Sequence, residues 1–281
     1  MRRGGLLAAP DEPAAGRGGV AVTGADTVRR SAPARIEHLT VDITSRHRWQ
    51  RRQVRVLDDA DLAVPAGSVT ALVGESGCGK SMIAAALTGL LPPGSRTDGA
   101  VVVGDVELAA DDARWPDVRG RRIGLVPQSP STSFTPVRTL GSQLDEVVRR
   151  LRGPRSAAEL CRDVHLSSAI LDQYPHELSG GMAQRAAVAA ALAGDPPIIV
   201  ADEPTSALDS GLAGDIWELF AAAAADGKAV LIITHDIDTL RHGRCDSIAV
   251  MRAGRIVAED TPDALLAASD RYVADFFEPV V

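Results

Sequence analysis

The chain has 281 residues, a formal net charge of -7 and 45% hydrophobic residues, which suffices for one sizeable α/β domain with a smaller appendage. This acidic balance argues against a nucleic-acid-binding protein, because affinity for a phosphate backbone comes from clustered Lys and Arg. No apolar run reaches the roughly 20 residues that cross a bilayer, and the opening apolar stretch is shorter than a signal-peptide core. Three widely spaced cysteines give neither a disulfide framework nor metal-ligand spacing. We therefore expect a cytoplasmic protein.

The first segments in chain order are predicted to be an extension and two strands. Residues 1–34 are rich in Gly, Ala, Pro and Arg without apolar periodicity, so they predict a disordered extension. Partial alternation of apolar residues over 35–44 and 54–64 predicts half-exposed strands. A basic cluster surrounds Trp49 between them, and a solvated hairpin loop is the favoured interpretation. The members of this cluster are Arg46, His47, Arg48, Arg51, Arg52 and Arg55.

Four short, almost continuous apolar runs follow, at 69–73, 122–126, 198–201 and 229–234. Such runs are typical of strands that are buried on both faces of a parallel sheet. Because open α/β sheets bind ligands at the carboxyl ends of their strands, we expect the groups that follow the runs to converge. These groups are the glycine-rich segment 74–81, Gln128, the pair Asp202 and Glu203, and the pair His235 and Asp236.

Helical spacing and turn signals predict the remaining segments. Residues of about 129–183 are predicted to form a helical subdomain. Segment 247–260 predicts two strands around a tight turn at Ala253 and Gly254. The tail, 258–281, predicts a short helix whose phenylalanines pack back on the body.

The segment "GESGCGKS", 74–81, matches the phosphate-binding pattern G-x-x-x-x-G-K-[ST] between a predicted strand and a predicted helix. Its glycines let backbone N–H groups turn toward phosphates, and the helix adds its positive end. Lys80 is predicted to reach the β- and γ-phosphates, and the Ser81 hydroxyl to hold Mg²⁺. A plain glycine turn is the alternative. The predicted nucleotide contacts are Gly74, Glu75, Ser76, Gly77, Cys78, Gly79, Lys80, Ser81 and Met82.

Cys78 carries a separate hypothesis. A position near a helix start favours the thiolate, so oxidants or maleimides are predicted to block nucleotide binding there. The alternative is that Cys78 is only a tolerated small residue.

The pair Asp202 and Glu203 follows the third apolar run and supplies carboxylates. Asp202 is predicted to bind Mg²⁺, directly or through water, and Glu203 to orient and deprotonate the attacking water. A surface Asp-Glu pair in a turn is the alternative. The P-loop nearby in the predicted sheet favours the catalytic interpretation.

The stretches "LSGGM", 178–182, and "ADEPTSALD", 201–209, together with the P-loop, closely resemble the nucleotide-binding subunit of an ATP-binding cassette (ABC) transporter. The resemblance covers residues of about 36–257. It implies an α/β fold in which a P-loop NTPase (RecA-like) core carries an N-terminal antiparallel β subdomain and an inserted helical subdomain. The corresponding domains are 1–34, an ABC domain at 35–257 and the tail.

The resemblance also implies a role for a second anion-binding segment. In this family two domains pack head to tail, and each ATP lies between the P-loop of one and the signature segment, 178–182 here, of the other. Ser179, Gly180 and Gly181 open a helix whose free N–H groups can grip a γ-phosphate, and Asp209 would act across the dimer interface.

Two more roles follow from the resemblance. Gln128 would contact Mg²⁺ and the lytic water, and a plain polar loop residue is the alternative. His235 would contact the γ-phosphate, with an ordinary strand-end histidine as the alternative. The predicted catalytic set is therefore Lys80, Gln128, Glu203 and His235, and the predicted metal ligands are Ser81, Gln128 and Asp202.

Within the family, the stretches 127–143 and 174–185 resemble the importers of dipeptides, oligopeptides and nickel, in which two different ATPase subunits pair. Met182 stands where most ABC proteins have Gln, which resembles the first of those subunits, the D-type. The implied partners are a second ABC ATPase subunit, in a heterodimer or a homodimer, two membrane permeases and an extracytoplasmic substrate-binding protein. The implied location is the cytoplasmic face of the membrane.

Several alternatives stay open at this stage. The cargo is a peptide or a nickel or metal chelate, and a short tail without a cysteine group favours the second. An exporter ATPase is one rival function. A soluble ABC ATPase acting on nucleic acid or ribosomes is another, although such proteins usually contain two cassettes or a long coiled coil. The adenine-stacking aromatic of the family aligns with Val54, which has no π face, so either the contact with adenine is weaker or Trp49 substitutes for the aromatic.

Overall fold

The computed structural model describes residues 29, 31–47, 50–130, 133–206, 208–235, 240 and 244–277, without the side chains of 45–47, 50–52 and 275. The predicted extension up to residue 28, the basic cluster apart from Arg55, and Asp236 therefore lie outside the described residues or side chains. Arg55 itself is exposed and binds Asp42 and Asp58.

Two sheets form the framework of the described chain. The strands are β1 (Ala34–His47), β2 (Gln50–Val64), β3 (Ser68–Gly74), β4 (Arg96–Val103), β5 (Val106–Leu108), β6 (Ile123–Val126), β7 (Ile198–Asp202), β8 (Ala229–Ile233), β9 (Ser247–Arg252) and β10 (Arg255–Asp260). The first sheet has the order β2-β1-β4-β5 and is antiparallel throughout. The second has the order β10-β9-β3-β8-β7-β6, and its five strands from β9 to β6 run parallel.

All four predicted apolar runs are strands of the parallel sheet. Alternate residues of β3 point to opposite faces: Val69, Ala71 and Val73 pack in one hydrophobic core, and Leu72 packs in another. The second core lies between the parallel sheet and the antiparallel sheet, since it also contains Ile36. Both faces are therefore covered, which is why these strands are continuously apolar. The predicted α/β fold with an antiparallel β subdomain is confirmed.

The helices connect these strands. They are α1 (Lys80–Leu87), α2 (Trp115–Val118), α3 (Leu140–Leu151), α4 (Ala157–Asp163), α5 (Gly180–Ala191), α6 (Ser210–Ala225), α7 (Pro262–Leu266) and α8 (Arg271–Phe277), with 3₁₀ helices at Ser168–Asp172 and Pro175–Glu177. None of them combines the length and the apolar character that crossing a bilayer requires, within the residues that the structure describes.

The region predicted to be helical, 129–183, contains α3, α4, both 3₁₀ helices and the start of α5. Side-chain caps define the helix starts, as in α4, where Ser156 and Glu159 form a capping box. His165 has a φ of 55°, so the chain leaves the helical conformation soon after α4. The division of the chain into domains stays a prediction.

The C-terminal part follows the prediction in its strands and differs in its helices. β9 and β10 pair antiparallel around Ala253 and Gly254, with φ values of 47° and 83°, so the predicted tight turn is confirmed. The tail contains two short helices, α7 and α8, rather than one. Phe277 is buried in the core beside α7. Burial of its large apolar side chain away from water stabilises the folded chain.

Candidate functional site

A cavity of about 550 Å³ lies at the carboxyl edge of the parallel sheet. The groups that follow β3, β6, β7 and β8 in the chain all contribute to it, as the sequence predicts. Its lining residues are Val56, Gly74, Ser76, Gly77, Gly79, Lys80, Ser81, Met82, Gln128, Asp202, Glu203, Ser206 and His235. The cavity is therefore the candidate nucleotide site.

The lysine of the glycine-rich segment binds the backbone of that same segment. Nζ of Lys80 donates hydrogen bonds to the carbonyl oxygens of Gly74, at 2.7 Å, and Glu75, at 3.0 Å. A triphosphate would offer the ammonium group stronger, charge-assisted partners than these two carbonyl oxygens. α1 begins at Lys80 with Gly79 as its N-cap, at a φ of 115° and without a side-chain cap. No side chain therefore caps the start of this helix, where a phosphate can bind, although the N–H of Met82 donates to the carbonyl oxygen of Gly79 at 2.9 Å.

Asp202 and Ser81 form a set of oxygen atoms inside the cavity. Asp202 is 7% exposed, and burial raises the pKa of its carboxyl group, while a hydrogen bond with Ser81 opposes the shift. The second oxygen, Oδ1, is buried without a hydrogen-bond partner. An unpaired buried carboxylate oxygen is costly, and carboxylate and hydroxyl oxygens are what Mg²⁺ prefers. The residues present therefore fit a magnesium ion.

Glu203 and His235 form a pair at the rim of the site. Nδ1 of His235 lies 2.8 Å from Oε2 of Glu203, and the side chains are 72% and 10% exposed, respectively. Glu203 adopts a φ of 52°, which is uncommon for a residue with a Cβ. The backbone N–H of Glu203 donates to the carbonyl oxygen of Ile233 at 2.9 Å, which fixes the carboxylate at the end of β7.

The predicted signature segment lies outside this cavity. Ser179 is the N-cap of α5, and its hydroxyl accepts a hydrogen bond from the N–H of Met182 at 3.2 Å. Asp209 is the N-cap of α6 and accepts from Leu212 at 3.0 Å. Ser179, Gly180 and Asp209 are exposed. The lining of the P-loop cavity includes none of these three residues, so the chain's own fold does not bring them to it.

For Cys78 the structure supports the alternative, a tolerated small residue, over the thiolate hypothesis. The residue is 7% exposed, and burial raises the pKa of its thiol despite the opposing attraction of Lys80. A thiol in apolar surroundings is a small hydrophobic group rather than a nucleophile.

Two lining residues were given no role by the sequence. Ser206 lines the cavity, and its hydroxyl donates to the carbonyl oxygen of Glu203 at 3.1 Å. Its position within the stretch "ADEPTSALD", 201–209, was the feature of the sequence that could have indicated this role. Val56 lines the cavity, whereas Val54, aligned with the adenine position, is 39% exposed two residues earlier. Trp49 lies outside the described residues.

The fold and the site together define a P-loop NTPase. The glycine-rich loop joins a buried parallel strand to a helix, and the acidic pair ends another strand of the same sheet. This is the structural context that the P-loop motif requires.

Comparisons with known proteins narrow this class. The sequence profile of the ABC transporter family matches residues 57–206. The chain is 37% identical over 238 residues to the probable peptide ABC transporter ATP-binding protein y4tR of Sinorhizobium fredii, covering 80% of this chain and 71% of that protein. It is 40% identical over 213 residues to the nickel import ATP-binding protein NikD of Pseudomonas putida, covering 72% and 80%, respectively.

A solved structure is similar as well. The dimeric post-hydrolysis structure of the ATP-binding cassette MJ0796 bound to ADP and Pi has a TM-score of 0.71 and 28% identity, over 82% of this chain and 98% of that one. The chain belongs to the ABC transporter family, as a subunit that binds and hydrolyses ATP. The resemblance stated from the sequence is thereby confirmed.

Proposed function

We propose that this ATPase powers the import of peptides or of nickel or metal chelates through separate permease subunits, at the cytoplasmic face of the membrane. The observation that carries the proposal is the P-loop cavity with its Glu203–His235 pair. The names of y4tR and NikD support the cargo classes. An extracytoplasmic substrate-binding protein would deliver the cargo.

Lys80, Ser81, Gln128 and Asp202 bind the triphosphate end of the nucleotide in this proposal. Lys80 exchanges its bonds to Gly74 and Glu75 for the β- and γ-phosphates. Ser81, Gln128 and Asp202 would hold Mg²⁺, which neutralises charge on the phosphates when it is bound. The free oxygen of Asp202 supports this assignment.

Glu203 and His235 act on the attacking water and the γ-phosphate. Glu203 is the general base, since its carboxylate is fixed at the strand end and reaches into the cavity. His235 uses Nδ1 to bind Glu203. Its other ring nitrogen, Nε2, would then face the γ-phosphate and hold the transition-state geometry, while Gln128 orients the water.

The signature segment would serve the ATP of a partner subunit. Ser179, Gly180 and Gly181 present the N-terminus of the 12-residue helix α5, a favourable position for an anion. The comparison with a dimeric cassette supports such an assembly. Met182 supports a D-type subunit in a heterodimer with a second ABC ATPase, with a homodimer as the alternative, and Asp209 would act across the interface.

A second, apolar cavity offers a surface for the permease. It has a volume of about 580 Å³ and lies between β6, α3 and α5. Pro127, at its edge, directly precedes Gln128 of the nucleotide site. We propose that a cytoplasmic helix of a permease packs here, against residues that include Leu125, Phe134, Val147 and Leu151. Gln128 would then link ATP to the permease.

The test is a pull-down of tagged protein from native membranes in mild detergent with ATP. The proteins that co-purify are identified by mass spectrometry. Three forms are compared: wild type, Glu203→Gln, and Lys80→Ala, which should not bind ATP. Two multi-span permeases should accompany all three forms, whereas a second cassette should be most enriched with Glu203→Gln. Ribosomal proteins or nucleic acid without a membrane subunit would contradict the proposal.

A further inference from the structure

The P-loop rests on the end of strand β9. A Cβ on Gly74 would collide with the carbonyl oxygen of Met251, and one on Gly79 would lie 2.8 Å from its Cε atom. The N–H of Gly254, in the turn that follows, donates to the carbonyl oxygen of Cys78 at 2.8 Å. Any shift of Met251 or of this turn would therefore displace the loop that binds phosphate.

Tyr272, in α8, holds the same strand end. Its hydroxyl lies 3.5 Å from the carbonyl oxygen of Met251. Its ring lies 4.4 Å from the guanidinium carbon of Arg252, in a cation–π contact. The Tyr272 ring is thus fixed on the two residues that end β9.

The helix that carries Tyr272 is itself anchored in the core. Val273 and Phe277 are 2% and 4% exposed. Phe276 packs between the rings of Tyr272 and Phe277, at centroid distances of 6.5 and 5.6 Å. Tyr272 therefore lies on a helix that is packed against the core, so its position is fixed.

Tyr272 also lies close enough to the P-loop to be affected by its charge. Burial raises the pKa of its phenol, and the next cause is the negative charge of Glu75, the second residue of the loop. One side chain of the tail is thus in contact with the strand end on which the loop rests.

We infer that Tyr272 is a positioning residue for ATP binding, which holds Met251, Arg252 and through them the P-loop in the conformation that receives phosphate. The inference rests on the proposed binding of ATP by this loop. Without the contact the loop must be ordered by the nucleotide, and that cost weakens binding. Glu203 and His235 follow other strands, β7 and β8, so turnover at saturating ATP should change little.

The experiment uses the full chain and two substitutions of Tyr272. Tyr272→Leu keeps apolar bulk but loses the hydroxyl and the ring over Arg252. Tyr272→Phe keeps the ring. Affinity for a fluorescent ATP analogue is measured on the purified chain, with KM and kcat measured in the assembled transporter. Tyr272→Leu should raise Kd and KM about five- to tenfold, with kcat within about twofold, and Tyr272→Phe should raise them less than about threefold.

The control is Leu265→Ala, which removes buried apolar surface from α7 in the same tail. It should lower the melting temperature and leave the affinity for ATP unchanged. If Tyr272→Leu behaves like this control, Tyr272 is only an anchor and the inference is wrong. Failure of the wild-type chain to bind ATP would instead overturn the proposed function, and this inference with it.

Discussion

Nδ1 of His235 lies 2.8 Å from Oε2 of Glu203, and the two residues follow neighbouring parallel strands, β8 and β7. The carboxylate is almost buried, while the imidazole is mostly exposed at the rim of the cavity. In the proposed mechanism, His235 orients the general base Glu203 from the rim, and the inner face of the carboxylate is left for a water molecule. In this pair Glu203 would take the proton, and His235 would hold the carboxylate in position.

Glu203→Gln should abolish hydrolysis without loss of ATP binding. The amide oxygen can still accept a hydrogen bond from His235, so the geometry persists, but the side chain can no longer take a proton. We expect turnover of the assembled complex to fall by about 100- to 10,000-fold, with Kd for ATP within about twofold of wild type. Glu177→Gln, at an exposed carboxylate that binds the backbone of Tyr174, is the control. Hydrolysis near the wild-type rate in Glu203→Gln would exclude Glu203 as the base.

ATP should protect Lys80 from acylation. The sequence contains two lysines, Lys80 and Lys228, and the second binds Asp195 at 2.8 Å on another part of the surface. Mild treatment with an amine-reactive ester, followed by peptide mass spectrometry, therefore has an internal control. ATP should lower the labelling of Lys80 about tenfold or more at saturation, because its ammonium is then occupied by phosphate. Equal labelling with and without ATP would remove Lys80 from the site.

The three cysteines should react slowly in the folded protein. Burial raises the pKa of Cys78, Cys161 and Cys245, the last to about 12, and the thiolate is the reactive form. A chromogenic disulfide at pH 8 should therefore release little colour in minutes, and three equivalents in denaturant. Rapid labelling of Cys78 with loss of ATPase activity, absent in Cys78→Ser, would restore the thiolate hypothesis.

The sequence predicts the parts of this site that local pattern determines. Continuous apolar runs identify the parallel strands, and strand direction then places Gln128, Asp202 and His235 at one edge. Contacts between distant segments leave no such pattern. The bond between Glu203 and His235 and the contact of Tyr272 with Met251 depend on how separate strands and helices pack, which no spacing along the chain encodes.

The differences between sequence expectation and structure have physical causes of the same kind. The position of Cys78 near a helix start favours a thiolate, but burial against the second core outweighs this effect. Val54 fits the adenine position by alignment, yet in strand β2 the cavity reaches Val56. Burial and strand register are properties of the folded chain, so a linear motif predicts them poorly.

His38 should make stability depend on pH. Its Nδ1 lies 3.0 Å from Asp59 and 3.3 Å from Asp61, and a hydrogen bond with Asp59, followed by the charge of Asp61, raises the pKa of His38 above its usual 6.5. The protonated ring is thus favoured in the folded state. Its stabilising effect is fully present below pH 6.5 and is lost as the pH rises through the folded-state pKa.

The comparison of wild type with His38→Gln tests this sign. The difference in melting temperature should be largest at about pH 5.5 to 6 and should shrink steadily at higher pH. Asp59→Asn should show the same trend, because it removes the partner that contributes most to the shift. High salt should reduce the difference, since all three side chains are exposed to a considerable degree. A difference that grows with rising pH would mean that His38 is bound as the neutral ring.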